Sequence, residues 1–120
     1  TIVAYSLMVH EALKAAAELA AEGIEVEVID PRTQTPLDEA AILRSVEKTG
    51  RLVVVDECPL RGSVASEIAA TVAEKGFGLL KAPIRRVTRA DTPVGYSPTL
   101  EAFVTPDAAK VARAVREILA

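Results

Sequence analysis

Leu52-Val53-Val54-Val55 is an unbroken apolar run, and three of its four members are β-branched. A strand wetted on one face alternates apolar and polar residues, whereas one covered on both faces reads as continuous Val, Ile and Leu. The run therefore predicts a central strand with helices on either side. The segments around it agree. Residues 2–5 form a second apolar run, residues 25–29 alternate with β-branching at Val26, Val28 and Ile29, and residues 84–87 read as a fourth strand.

Helical spacings lie between these runs. Ala12, Leu13, Ala16, Leu19 and Ala20 precede a stop at Gly23. Ile42, Leu43 and Val46 follow a cap at Asp38 and end at Gly50, and Val64, Ile68, Ala69 and Val72 face inward within residues 63–74. A closing helix sets Val111, Val115 and Ile118 on one stripe. Thr105 is its expected cap, with Pro106 in the first helical position and Asp107 near the positive helix end. Such alternation predicts an α/β domain of three layers, α/β/α, with a mostly parallel sheet and right-handed crossovers, occupying residues 1–120 as one domain. Residues 88–105, with Pro93, Gly95 and Pro98, read as one long irregular stretch, expected to be functional or interfacial.

Composition narrows the function. At 50% hydrophobic and 26% charged the chain is neither disordered nor a coiled coil. A net charge of −3 with interspersed signs argues against nucleic acid. No apolar run approaches the roughly 18 residues of a membrane span. The single Cys excludes an internal disulfide framework and fits a reducing compartment, the cytoplasm or a mitochondrial matrix. Aromatics make up only 3%, which argues against stacking platforms for bases or sugars. The chain opens at Thr1 inside a strand-like run, as expected of a piece of a longer chain.

Chemistry-bearing residues concentrate in Asp30-Pro31-Arg32-Thr33-Gln34-Thr35-Pro36-Leu37-Asp38, which leaves the second strand. Loops at strand exits carry function in α/β folds, and this one combines an acid, a base, two Thr and two Pro. It reads as a surface built to hold one shape. The first strand exits into Ser6-Leu7-Met8-Val9-His10 rather than G-x-G-x-x-G, which argues against a dinucleotide site. No Cys/His cluster has metal-ligand spacing.

His10 is best read as a helix-start residue bonded locally. The acids beside Cys58 should raise its thiol pKa and keep it inert. Lys48-Thr49-Gly50-Arg51 is a helix end with a left-handed Gly. Residues 62–67 read as a Ser-capped helix start with Glu67 in its first turn, whose N–H groups could also take an anion. Alternation places Arg85 and Arg86 on opposite faces of a strand, with Arg89 at its exit, in ion pairs expected to reach Glu67 or Asp30. These residues supply no catalytic, cofactor or metal site and define no reaction by themselves.

Several segments in order resemble one family. They are Glu27-Val28-Ile29-Asp30 with Arg32-Thr33 and Pro36-Leu37-Asp38; Ser45-Val46 with Lys48-Thr49-Gly50-Arg51; Val53-Val54-Val55 with Glu57; Ser66-Glu67-Ile68; Ala82-Pro83 with Arg86-Val87-Thr88; and Asp91, Pro93, Tyr96 and Leu100-Glu101. Together they are similar to the transketolase C-terminal-like domain of the E1 beta subunit of thiamine diphosphate-dependent 2-oxo acid dehydrogenases. The resemblance implies an enzyme that decarboxylates a 2-oxo acid and reductively acylates the lipoyl group of E2. It implies that this domain is inactive alone, and that thiamine diphosphate and Mg lie between the alpha subunit and the N-terminal domain of beta. The implied partners are the E1 alpha subunit, a second beta subunit and the E2 subunit-binding domain. The interface residues it points to are Asp30, Arg32, Thr33, Glu57 and Glu67, with Glu101 and Asp107 facing an E2 domain that is typically basic in relatives. It also implies an antiparallel edge strand preceding Thr1.

The chain departs from the family at Pro31 and Gln34, where Leu is usual, near Ser63 and Ala65, where glycines are usual, and at Gly95, often Pro. Transketolase or deoxyxylulose phosphate synthase remains a second enzymatic reading, and a non-enzymatic association module a third.

Overall fold

The computed structural model describes residues 1–120. Four strands, β1 (Ile2–Ala4), β2 (Val28–Ile29), β3 (Val53–Pro59) and β4 (Arg85–Arg89), form one parallel sheet in the order β2-β1-β3-β4. Five α-helices accompany them: α1 (Leu7–Ala21), α2 (Glu39–Thr49), α3 (Val64–Gly76), α4 (Pro98–Val104) and α5 (Ala108–Leu119). The predicted α/β/α layering is observed.

The inner strands are buried on both faces. Ile2, Ala4, Val53 and Val55 pack toward Met8, Ala12, Ala15 and Leu19 of α1 and the Val111–Val115–Ile118 stripe of α5. Val3, Leu52 and Val54 pack toward Ile42 and Val46 of α2 and Ala65, Ile68 and Val72 of α3. All of the strand members are 1% exposed or less, so the apolar run at residues 52–55 does sit at the centre.

Four details differ from the sequence expectation. The buried face of α1 is Met8, Ala12, Ala15 and Leu19, while Leu13 is 52% exposed. Alanine recurs on every side of this helix, so spacing alone left its orientation undetermined. β2 keeps only two ladder residues. Ile2 stands opposite Val28 and Val3 opposite Ile29, and Glu27 O accepts the N–H of Ile2 at 2.8 Å. The stretch 88–105 contains α4, capped by Ser97, whose Oγ accepts from the N–H of Leu100 at 3.2 Å. Seven residues are too few to show a period. Finally, Asp107 rather than Thr105 caps α5, accepting from the N–H of Lys110 at 2.8 Å; Thr105 instead ends α4.

Carboxylates fix how helices meet the sheet. Asp56, buried in β3, accepts from the N–H of Cys58 at 2.9 Å and from the N–H of Ala65 at 3.3 Å. It thereby caps α3 from the sheet, a task the expected cap Ser63 does not perform through its own side chain. Glu11 in α1 accepts from the N–H of Ala108 at 3.0 Å, which caps α5 from its neighbour, and from Lys14 Nζ at 2.6 Å. At the far end of the same helix pair, Arg116 of α5 grips Glu22 at the end of α1. The opposite edge of the sheet is tied by hydroxyls: Thr1 Oγ1 lies 2.7 Å from both Ser45 Oγ and Thr49 Oγ1, and Ser45 donates to Glu27 at 2.8 Å. Gly50 ends α2 with φ 72°, and a side chain there would also collide with the Lys81 methylenes at 2.7 Å.

Two predictions follow from these caps. Asp56→Ala strands the N–H groups of Cys58 and Ala65 and should cost about 2–3 kcal/mol in urea denaturation, with Asp56→Asn intermediate because one acceptor survives. Glu11→Ala should cost about 1 kcal/mol at neutral pH. The Lys14 bond, and then that to Ala108, hold the Glu11 carboxyl below its ordinary value against the opposing effect of burial. Its contribution is therefore complete above the unfolded carboxylate pKa and is lost as pH falls through the lowered folded value. The gap between wild type and Glu11→Ala in urea midpoint should close over that acid range.

Candidate functional site

All four strands run the same way, so their exits share one edge of the sheet. Ligand and partner sites in open α/β sheets gather at this carboxyl edge. The loop after β2 is held by its own bonds. Asp30 Oδ1 accepts the N–H of Arg32 at 3.2 Å, and Asp30 Oδ2 lies 3.2 Å from Arg32 Nε. Thr33 N–H donates to Pro31 O at 2.6 Å, and Thr33 Oγ1 donates to Pro36 O at 3.0 Å across a cis Thr35–Pro36 peptide. Asp38 then caps α2 through the N–H of Ala41 at 2.9 Å, as the sequence predicted. The loop is rigid by construction, yet the Arg32 side chain is 84% exposed.

This loop forms one wall of an open cleft of about 740 Å³, whose other wall is the start of α1: Tyr5, Ser6, Val9 and His10. The only two non-glycine residues with positive φ, Ser6 (51°) and Arg32 (63°), both line it. Residues held at such positive φ carry a backbone penalty of about 1–3 kcal/mol, and such outliers gather at functional surfaces. The Tyr5 hydroxyl is buried without a partner. Burial, and then the charges of Asp56 and Asp30, push its pKa up, so it stays a neutral donor. His10 is exposed on this cleft, and the local bond expected for it does not form.

The same loop borders a second cleft of about 440 Å³, where Gln34–Leu37 faces Glu67, Val64 and Thr71 of α3. Asp30, Arg32, Thr33 and Glu67 are thus gathered around one loop. Glu57 is exposed where β3 ends. Glu101 is exposed in the first turn of α4, and Asp107 serves as the α5 cap with Lys110 3.8 Å away. The expected ion pairs of the strand arginines with Glu67 or Asp30 are replaced. Arg85 meets Glu117 on the α5 side, and Arg86 donates to Leu60 O and Ser66 Oγ on the α3 side. Their opposite facing was read correctly. Cys58 is exposed, and partial burial together with Asp56 and Glu57 holds its thiol above the ordinary value, the direction expected from its neighbours.

Sequence reasoning passed over Asp56 and Tyr5. The available signal was position: each ends an apolar strand run, where a polar group must be either buried and bonded or turned toward a ligand. No group of three or more His, Cys, Asp or Glu could hold a metal ion. No helix is long and apolar enough to cross a membrane.

Comparison with known proteins identifies the domain. The family described as the C-terminal domain of transketolase matches residues 1–111. The beta subunit of acetoin:2,6-dichlorophenolindophenol oxidoreductase from Cupriavidus necator is 55% identical over 119 residues, 99% of this chain and 35% of that protein. The pyruvate dehydrogenase E1 beta subunit of Leifsonia xyli is 50% identical over 121 residues, covering 100% of this chain and 35% of its own length. A solved structure titled as a split-gene transketolase, inactive beta4 tetramer, superposes with a TM-score of 0.84 at 30% identity, over 98% of this chain and 37% of that one. The chain therefore spans about a third of the length of these relatives. It belongs to the transketolase C-terminal domain family.

Proposed function

We propose that this domain is the assembly domain of an E1 beta subunit, catalytic only within a complete thiamine diphosphate-dependent dehydrogenase. The observation that carries this reading is the identity of its relatives. Proteins 41–55% identical across nearly the whole chain are named as beta subunits of acetoin, pyruvate and 2-oxoisovalerate enzymes. The architecture supports an assembly role. Five of its acids, Glu11, Asp30, Asp38, Asp56 and Asp107, are spent on helix caps and loop shape, while Tyr96 is wholly exposed, Phe103 is 80% exposed and Phe77 is 78% exposed. Large exposed aromatic side chains of this kind are the residue types enriched at subunit interfaces.

Thiamine diphosphate and its magnesium would be held elsewhere in the full protein. On this reading, no cofactor contact and no chemical step falls to the residues of this domain. The partners we assign are an alpha subunit and a second beta subunit through the Asp30–Arg32–Thr33 loop and Glu57 and Glu67. The E2 subunit-binding domain would meet Glu101 and the start of α5, and the compartment would be cytoplasmic or the mitochondrial matrix. The split-gene transketolase keeps a sugar-phosphate enzyme as the second reading, at the lower identity of 30%.

The test is turnover by the intact protein that carries this domain, combined with its alpha subunit, thiamine diphosphate and Mg²⁺. Dye reduction is followed with acetoin, pyruvate and a branched-chain 2-oxo acid in separate arms; acetoin belongs there because two relatives, 55% and 50% identical, are named for it. Turnover of one of the three is the expected result, and turnover of a ketose phosphate with an aldose acceptor instead would select the transketolase reading.

Two variants address assembly. Arg32→Gly suits φ 63° and should leave the melting temperature unchanged or slightly raised, while weakening the subunit contact about tenfold, measured by analytical ultracentrifugation. Glu101→Lys should weaken binding of the E2 subunit-binding domain about tenfold, with a stability loss of no more than about 1 kcal/mol from a cation in the first turn of α4. It is the cleaner probe because Asp107 is needed as a cap.

A further inference from the structure

β4 ends the sheet on its side, with β3 as its only neighbour. In a parallel strand, alternate residues turn both N–H and C=O toward a given neighbour. Arg85 N–H donates to Leu52 O at 3.0 Å, and the register runs Val53 opposite Arg85 and Val55 opposite Val87. Arg85 and Val87 therefore bond to β3, and the N–H and C=O groups of Arg86 and Thr88 point out of the edge. No backbone group takes them; the next outward N–H, that of Ala90, is closed by Val104 O at 3.1 Å. An edge in this state is a template for one more strand.

The flanks of the edge decide what strand it suits. A groove of about 310 Å³ runs beside β4, with Arg85, Arg86, Lys110 and Arg113 in its lining and Glu117 as its single acid. Glu117 is shared between Arg85 at 3.7 Å and Arg113 at 3.9 Å. Arg86 spends its donors on neutral acceptors, Leu60 O at 3.1 Å and Ser66 Oγ at 2.7 Å. Arg89, at the end of the strand, keeps a buried Nε with no acceptor. Cations thus outnumber acids along one edge of a chain whose net charge is −3. Pairing with a second copy of β4 would bring arginines against arginines, which is how edge strands are blunted against self-association.

We propose that the β4 edge accepts an extended, acidic segment of another polypeptide, added as a further strand with its carboxylates set against Arg85, Arg86 and Arg113. Backbone bonds to Arg86 and Thr88 give the register, and the flanking guanidiniums select for acid. This surface is opposite in sign to the one assigned above to the E2 domain, and it does not depend on that assignment.

The experiment uses the intact protein carrying this domain and fluorescent ten-residue peptides, read by anisotropy at moderate salt. A peptide alternating Glu and Val should bind. A Lys/Val peptide should bind at least about tenfold more weakly, and so should a Glu/Val peptide N-methylated at every second residue. Thr88→Pro removes an outward N–H without removing a ladder bond and should weaken binding about tenfold at unchanged melting temperature, as should Arg113→Glu. Equal binding of the N-methylated peptide would overturn strand addition. Equal binding of a single-stranded oligonucleotide, or no binding of the Glu/Val peptide, would also overturn the proposal. If Thr88→Pro does not fold, the N-methylated peptide decides on the unaltered protein.

Discussion

Burial of β1 and β3 on both faces is the constraint from which the rest of the structure follows. With Ile2, Val3, Ala4, Val53, Val54 and Val55 all at 1% exposure or less, neither face of the sheet can meet water. Two helices are therefore required on each side, and α1 with α5 and α2 with α3 supply them. A parallel sheet also forces every connection to cross over its length, so each helix begins at the carboxyl edge. Helix N-termini, with unsatisfied N–H groups and a positive dipole, consequently crowd the same edge as the strand exits.

That crowding explains where the acids go. Asp38, Asp56, Asp107 and Glu11 each accept a backbone N–H at the start of a helix, and two of the four do so from a different element. Asp56 welds α3 to β3, and Glu11 welds α5 to α1. These bonds set the angle and register of helices that apolar packing alone would leave free to slide. The cost is that acids so engaged are poor reagents for chemistry or for partners. What remains at the carboxyl edge for recognition is the self-bonded loop from Asp30 to Asp38 and the exposed Glu57 and Glu67.

The parts legible in the sequence are those where one physical signal dominates. A continuous apolar run has one explanation, so residues 52–55 gave the central strand and with it the fold class. The caps at Asp38 and Gly50 were readable because the cap residue and its partner are adjacent in sequence. Illegibility set in where the deciding partner is remote. The buried face of α1 depends on where α5 lies, since an alanine-rich helix has no strong stripe of its own. Thr105, Pro106 and Asp107 offered two capping residues around one proline, and only the end of α4 at Thr105 resolves the choice in favour of Asp107. The Asp56 cap spans nine residues and joins a strand to a helix, which no local rule anticipates. The candidate site divides the same way. Its loop was visible because its bonds are internal, while the wall contributed by Tyr5, Ser6 and His10 comes from the far side of a crossover.

The division of labour also bears on the assembly role proposed for this domain. A catalytic centre needs several polar groups converging on one small volume, left partly unsatisfied until substrate arrives. Here the convergent groups satisfy one another, and the groups left open lie around the perimeter: the outer backbone of β4 and the aromatic side chains of Tyr96, Phe103 and Phe77. Groups dispersed over a perimeter cannot meet one small molecule together. They can each be met by a different neighbouring chain, as the proposed assembly role requires. The rigidity conferred by the buried strands and the remote caps then has a use, because it holds those perimeter groups at fixed separations. Contacts made at several of them act as one binding event, with the ordering cost met during folding rather than during assembly.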